Sequence, residues 1–238
     1  MKTTKALSLT LGLTVMVLAA CGGAATVTPT GTPAATTPTA SPVPATASPT
    51  AASTAASGRS WTIATESKAV VSVREQLVGV SLPSDAVLTT TGGGGTFALN
   101  ADGTFTSDSK ITFDLTTLTS DNRTRDDFIK QDTLQVRQFP KAEFVPTRTS
   151  GLATPLAANG TFTFKLTGNL TVHGTTKEVT FDVVATRSGG DLTAKAMLNP
   201  TLKFGDFGLR APSVPFRVVS IVDEIRLVVD IAATGASA

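Results

Sequence analysis

Residues 161–172 read TFTFKLTGNLTV, and their alternation is strict. Phe162, Phe164, Leu166, Leu170 and Val172 fall on even positions, with Thr163, Lys165, Thr167, Asn169 and Thr171 between them. A period of two sends successive side chains to opposite faces of a strand, whereas a helix would scatter the same apolar groups around its circumference. The phase then reverses, with Val179, Phe181 and Val183 on odd positions and Glu178, Thr180 and Asp182 opposite them. Similar runs are Val71-Val73, Phe97-Leu99, Ile111-Phe113-Leu115, Leu192-Ala194-Ala196-Leu198 and Ile225-Leu227-Val229-Ile231. Turn sequences stand between runs: NADG at 100–103, ATPLAANG at 153–160 and RSGGD at 187–191. Strands with one apolar and one wet face, joined by such turns, specify an antiparallel sheet rather than βαβ units.

One segment departs from this period. TSDNRTRDDFIKQDTL (119–134) has no β-branched run after Thr124. With Ser120 and Asp121 as cap residues and Asp126 and Asp127 near its start, it predicts a short helix ending before Phe139-Pro140. Seven or eight strands with one helix form a sandwich or a closed barrel, and closure removes exposed strand edges. An eight-stranded barrel is just wide enough to be filled by its own side chains or to hold one small ligand. The inward face here is Phe, Leu, Val and Ile, so a ligand would be apolar. The pattern leaves the solid and the hollow barrel both open.

The chain ahead of this domain has a different character. Lys2 and Lys5 precede an uncharged stretch, Ala6 to Ala20, shorter than the roughly 20 apolar residues of a membrane span. It fits a secretory signal peptide over residues 1–20. Leu18-Ala19-Ala20-Cys21 is similar to a bacterial lipobox, which predicts acylation of Cys21 and attachment, outside the cytoplasm, to a bacterial membrane. Residues 21–58 are the lipidated Cys followed by an uncharged Ala/Thr/Pro-rich linker, expected to be disordered. As a coil it spans on the order of 35 Å. The barrel domain is expected over 59–235. Of the 20 basic residues, Lys2 and Lys5 leave with the signal peptide, so the remainder balances the 18 acidic ones. That balance gives no electrostatic claim on nucleic acid.

Catalytic signatures are weak. The chain has one histidine, His173, and its one cysteine is the expected acylation site. A zinc site therefore lacks ligands. A Ser-His-Asp triad would have to use His173, and no Gly-x-Ser-x-Gly elbow is present. Asp121, Asp126 and Asp127 match no calcium-loop spacing, and TGGGGT at 91–96 lacks the Lys and Ser/Thr of a phosphate loop. It reads as a flexible connection or strand irregularity. His173 falls where the apolar phase flips, in an expected five-residue connection 173–177, and is expected to be a solvent-exposed turn residue. Neither catalysis, a metal nor a cofactor is expected.

Four stretches, taken in order, resemble the YceI family of lipocalin-like barrels. They are the opening strand WTIATESKAVVSVREQL (61–77), NRTRDDFIKQDTLQVRQFPKAEFVPT (122–147), GNLTVHGTTKEVTFDV (168–183) and FGDFGLRAPSVPFRVVSIVDEIRLVVDI (204–231). The resemblance implies an antiparallel eight-stranded barrel with one short helix, whose apolar tunnel holds a polyisoprenoid, a quinone or a related long-chain lipid. It makes Phe97, Leu99, Ile111, Phe113, Leu115, Phe162, Phe164, Leu166, Val179, Phe181 and Val183 cavity lining, with Phe128 and Ile129 as a lid. Arg125 and Asp126 match the family's Arg-Asp pair, read here as fixing the helix and loop. Near the end of the first strand, where many members carry a histidine, this chain has Arg74-Glu75-Gln76.

Overall fold

The computed structural model describes residues 59–213 and 217–235. The expected signal peptide, Cys21 and the linker up to residue 58 lie outside the described residues. Ten antiparallel strands appear among the described residues: β1 (Arg59–Ile63), β2 (Lys68–Leu77), β3 (Ser84–Thr90), β4 (Gly94–Leu99), β5 (Lys110–Asp114), β6 (Lys141–Ser150), β7 (Asn159–Val172), β8 (Thr175–Ser188), β9 (Asp191–Leu198) and β10 (Val218–Gly235). Pairing runs β1-β4-β5-β6-β7-β8-β9-β10, and β10 returns to β1. That is a closed ring of eight strands, an all-β barrel. The hairpin β2–β3 continues its wall along β10 from Val218 to Asp230.

The expected single opening strand is broken, and the break explains the glycine run. β1 ends at Ile63 and β2 starts at Lys68, both pairing with the same edge of β10. In the gap, Ala64 N donates to Ala232 O, while Ser67 Oγ donates to that carbonyl at 3.1 Å and accepts from Ala232 N at 3.0 Å. One buried serine thus stands in for a strand residue and satisfies the backbone it interrupts. The neighbouring strand breaks at the same level, between β3 and β4. There a Cβ on Gly93 would lie 2.6 Å from the Ser67 Cβ, and one on Gly95 (φ +100) 2.1 Å from the Lys110 carbonyl oxygen. TGGGGT is therefore a strand irregularity, glycine being required by close approach and positive φ.

The β7–β8 hairpin has a tighter turn than the expected five residues. Val172 pairs with Thr175, leaving His173 (φ 51) and Gly174 (φ 73) as a two-residue turn with both φ positive. This register sets Leu166 opposite Phe181 and Phe164 opposite Val183, which is why the apolar phase flips. His173 is half-buried rather than fully exposed. Its ring packs on Phe139 at 4.7 Å, and its Nε2 is buried without a hydrogen-bond partner. The connection looked longer because Thr175 and Lys177 are polar strand residues beyond the main apolar layer.

The helical segment is shorter than expected. Leu115 leaves the strand for a 3-10 turn (Leu115–Thr117), helix α1 spans Arg123–Phe128 and a π turn follows (Ile129–Thr133). The cap is Asn122, whose side chain accepts from Arg125 N, rather than Ser120 or Asp121. Ser120 Oγ instead accepts from Asn122 N and donates to Asp126 at 2.6 Å. A bridge from Thr89 to Thr119 docks this segment on β3, and Leu115 N donates to Pro140 O beside β6.

Buried apolar side chains fill two clusters inside the barrel. One centres on Phe144, Leu170, Phe181, Val183, Leu198 and Phe207, with Phe144 and Phe181 packed edge to face at 5.4 Å. The other centres on Trp61, Ile63, Leu99, Leu192 and Ala233. The outer face carries cross-strand ion pairs such as Arg148–Glu178 and Lys195–Asp230.

Candidate functional site

A cavity of about 660 Å³ runs inside the barrel, within the range of sites that enclose a drug-sized ligand. Phe97, Leu99, Ile111, Phe113, Leu115, Phe162, Phe164, Leu166, Phe181 and Val183 all line it, and Phe128 and Ile129 line it from the helical segment. Val179 does not; it is buried in the surrounding core cluster. The sequence-based set omitted much of the wall. Trp61, Val71 and Val73 add the β1–β2 side, Leu227 lies on β10, and Phe204 and Phe207 come from a 3-10 turn (Phe204–Phe207). Val71, Val73 and Leu227 share the inward parity of their strands. The turn had no such signal, because its position depends on a distant contact. Asp206 fixes it, bonding the Lys177 side chain and accepting from Lys203 N at 2.8 Å. Lys177 first, and then the Lys203 N–H, hold the Asp206 carboxyl below its usual range.

One end is plugged. Trp61 stacks on Phe97 at 5.2 Å, and its Nε1 donates to Gly190 O at 3.1 Å. Arg187 lies 5.4 Å over its ring. That guanidinium donates to the carbonyls of Gly189, Leu156 and Ala157, drawing the 151–158 connection across the barrel floor. Burial lowers the Arg187 pKa from its ordinary value, and Arg59 adds to this.

The other end reaches the surface. There the lining includes Leu77, Val78, Val80 and Val218, and Val78 and Val80 are 54% and 46% exposed. Leu82 and Val219 beside them are also exposed. A cluster of exposed apolar side chains differs from the single ones that dot ordinary surfaces.

Polar groups in the wall are few. The charged ones are Glu75, Arg125, Glu143 and Arg217. Glu143 pairs outward with Lys110 and Arg217 is exposed at the open end. Glu75 and Arg125 are withdrawn from water, with side chains 6% and 18% exposed. Arg125 Nη2 donates to Glu75 Oε1 and Nη1 to Asp121 Oδ1, both at 2.6 Å. Arg125 thus ties α1 to β2, while Asp126 ties the helix to Ser120. Glu75 was legible as an anomaly, a carboxylate on the inward parity of Val71 and Val73. Among the described residues, no three His, Cys, Asp or Glu side chains converge to hold a metal ion.

Known proteins agree with this architecture. A UPF0312 protein of Pseudomonas putida strain GB-1 is 35% identical over 140 residues, covering 53% of this chain and 69% of its own. A polyisoprenoid binding domain from Saccharophagus degradans superposes with a TM-score of 0.55 at 12% identity, over 74% of this chain and 98% of that domain. BcnA of Burkholderia cenocepacia superposes at 0.51 with 18% identity, over 71% and 96%. At these identities the two structures establish the shared fold. The model of the YceI-like domain matches residues 61–233, and the chain belongs to that family.

Proposed function

We propose that this chain is a membrane-anchored envelope lipoprotein that holds one long-chain apolar lipid, of the polyisoprenoid or quinone kind, inside its barrel for sequestration or transport. The observation that carries the reading is the cavity of about 660 Å³, walled by Phe, Leu, Val and Ile, plugged at Trp61 and open beside Val78. Transfer of a lipid chain from water into such a wall stabilises it by about 0.8 kcal/mol per CH₂. The similarity to a domain named for polyisoprenoid binding supports the same ligand class. The lipobox-like Cys21 and the uncharged linker support attachment of the barrel, outside the cytoplasm, to a bacterial membrane, on the cell surface or the periplasmic side. The role is binding rather than catalysis, with the membrane as source or destination of the lipid.

Native mass spectrometry of the full-length protein released from membranes, with organic extraction, tests this. A stoichiometric extra mass that extracts as a long-chain lipid is expected, along with an acylated Cys21 peptide. A bare polypeptide that stays bare after incubation with prenols, quinones and fatty acids overturns the lipid reading in favour of a structural or protein-binding envelope module.

A further inference from the structure

We infer that Glu75 and Arg125 receive the polar end of the lipid and select an uncharged hydroxyl head, as in a free long-chain alcohol or a quinol, over a phosphorylated one. The inference rests on the lipid-cavity reading above and adds the chemistry of the head.

Three observations carry it. The first is unused hydrogen-bonding capacity facing the cavity. Glu75 Oε1 accepts from Arg125, but Oε2 accepts from no donor among the described residues, although the side chain is 6% exposed and lines the cavity. A carboxylate has about four acceptor sites, and a guanidinium has five N–H groups. Arg125 uses one N–H on Glu75 and one on Asp121. Acceptor and donor thus lie side by side on the cavity wall, within reach of a ligand's head. A hydroxyl, which both donates and accepts, satisfies the two together.

The second observation is charge. Arg125 is paired with two carboxylates, Glu75 and Asp121. Its positive charge is more than balanced, so a phosphate bound here would meet like charge. Of the other charged lining groups, Glu143 is paired with Lys110, and Arg217 is solvent-exposed at the rim, where its charge is screened.

The third is position. Glu75 pairs with Ile221, just inside the level at which Leu77 meets Val218 at the open end. A head held there leaves the tail to run past Val73, Leu227 and Phe181 toward Trp61, on the order of 30 Å along the barrel axis.

Trp61 is the sole tryptophan and lines the cavity, so its emission reports occupancy. Titrating the lipid-stripped full-length chain in detergent with geranylgeraniol and with geranylgeranyl monophosphate tests the inference. The alcohol is expected to bind at least about tenfold tighter than the monophosphate, and Glu75→Gln, by unmasking Arg125, to shrink that ratio about tenfold. Asp121→Asn, a change at an exposed side chain, is expected to shift the ratio in the same direction by less. It serves as the second variant should Glu75→Gln fail to fold. Monophosphate binding as tight as the alcohol in the unaltered protein overturns the inference. So does a ratio unmoved in both variants, which leaves the lipid cavity standing. If neither compound binds the unaltered protein, both readings are overturned.

Discussion

Among the described strand residues, two buried charged ones share the inward parity of their strands, Glu75 toward the open end of the cavity and Arg187 at the plugged end. Glu75 follows Val71 and Val73 on β2, and Arg187 follows Val183 and Ala185 on β8. An inward charge in a barrel is tolerated only where its hydrogen bonds are met, and each arrangement defines a boundary. Arg187 meets its needs with three backbone carbonyls and the Trp61 face, which makes it a structural plug. Arg187→Met preserves much of the volume but removes the donors and strands those carbonyls. The expected loss is about 2–4 kcal/mol, read as a lower urea midpoint at unchanged slope. A loss below about 0.5 kcal/mol would show that water replaces the guanidinium at no cost and that the 151–158 connection does not depend on it. At the lining, Phe164→Asp is expected to abolish lipid binding, because a carboxylate would face the tail with no partner; unchanged binding in a folded variant would refute the cavity assignment.

At the level of elements, alternation made the barrel legible. Phe162 to Val172 and Val179 to Val183 read as paired strands, and their opposite phases are what a two-residue turn imposes. The turn length was not legible, because Thr175 and Lys177 carry strand geometry without apolar side chains. Nor was the cap of α1, where Ser120, Asp121 and Asn122 offer similar chemistry and the backbone path chooses Asn122. Asn122→Ala should therefore cost about 1 kcal/mol, while Ser120 acts through its bond to Asp126. The break shared by β1–β2 and β3–β4 was visible only as an odd glycine run, since its cause is a contact between segments distant in sequence. Gly95→Ala combines a positive φ with a Cβ 2.1 Å from a backbone oxygen. Its cost should exceed the roughly 1 kcal/mol of a strained φ alone, whereas Gly79→Ala, at φ +78 with open space around it, should show only the latter. Equal thermal shifts in the two variants would contradict the close packing at the break.

The barrel as a whole presents a charged, paired flank and an apolar open end. On the flank, Arg226 and then Arg74 hold Asp85 below its usual range, Lys165 and then Asn199 do so for Asp182, and Arg148 does so for Glu178. Their folded pKa values lie below the unfolded ones, so the stability they contribute is present above the unfolded values and is lost as pH falls through the folded ones. The midpoint of thermal unfolding should be flat from about pH 7 to about pH 5 and decline below about pH 4, shallowly because these pairs are exposed and screened by salt. The open end differs in kind. Val78, Val80, Leu82 and Val219 are exposed beside lining residues Leu77 and Val218, and Leu82 is 76% exposed. If a lipid passes between a bilayer and the cavity there, this rim has to touch the bilayer, and a charge on it raises the barrier without altering the wall. Leu82→Asp should slow uptake of a fluorescent prenol from phosphatidylcholine vesicles about tenfold or more, yet leave affinity for the same prenol in detergent unchanged. Val184→Asp places the same charge on another exposed apolar position, on the outer face of β8. It should leave the uptake rate alone, so equal slowing by the two variants would mean that the rim is not the route.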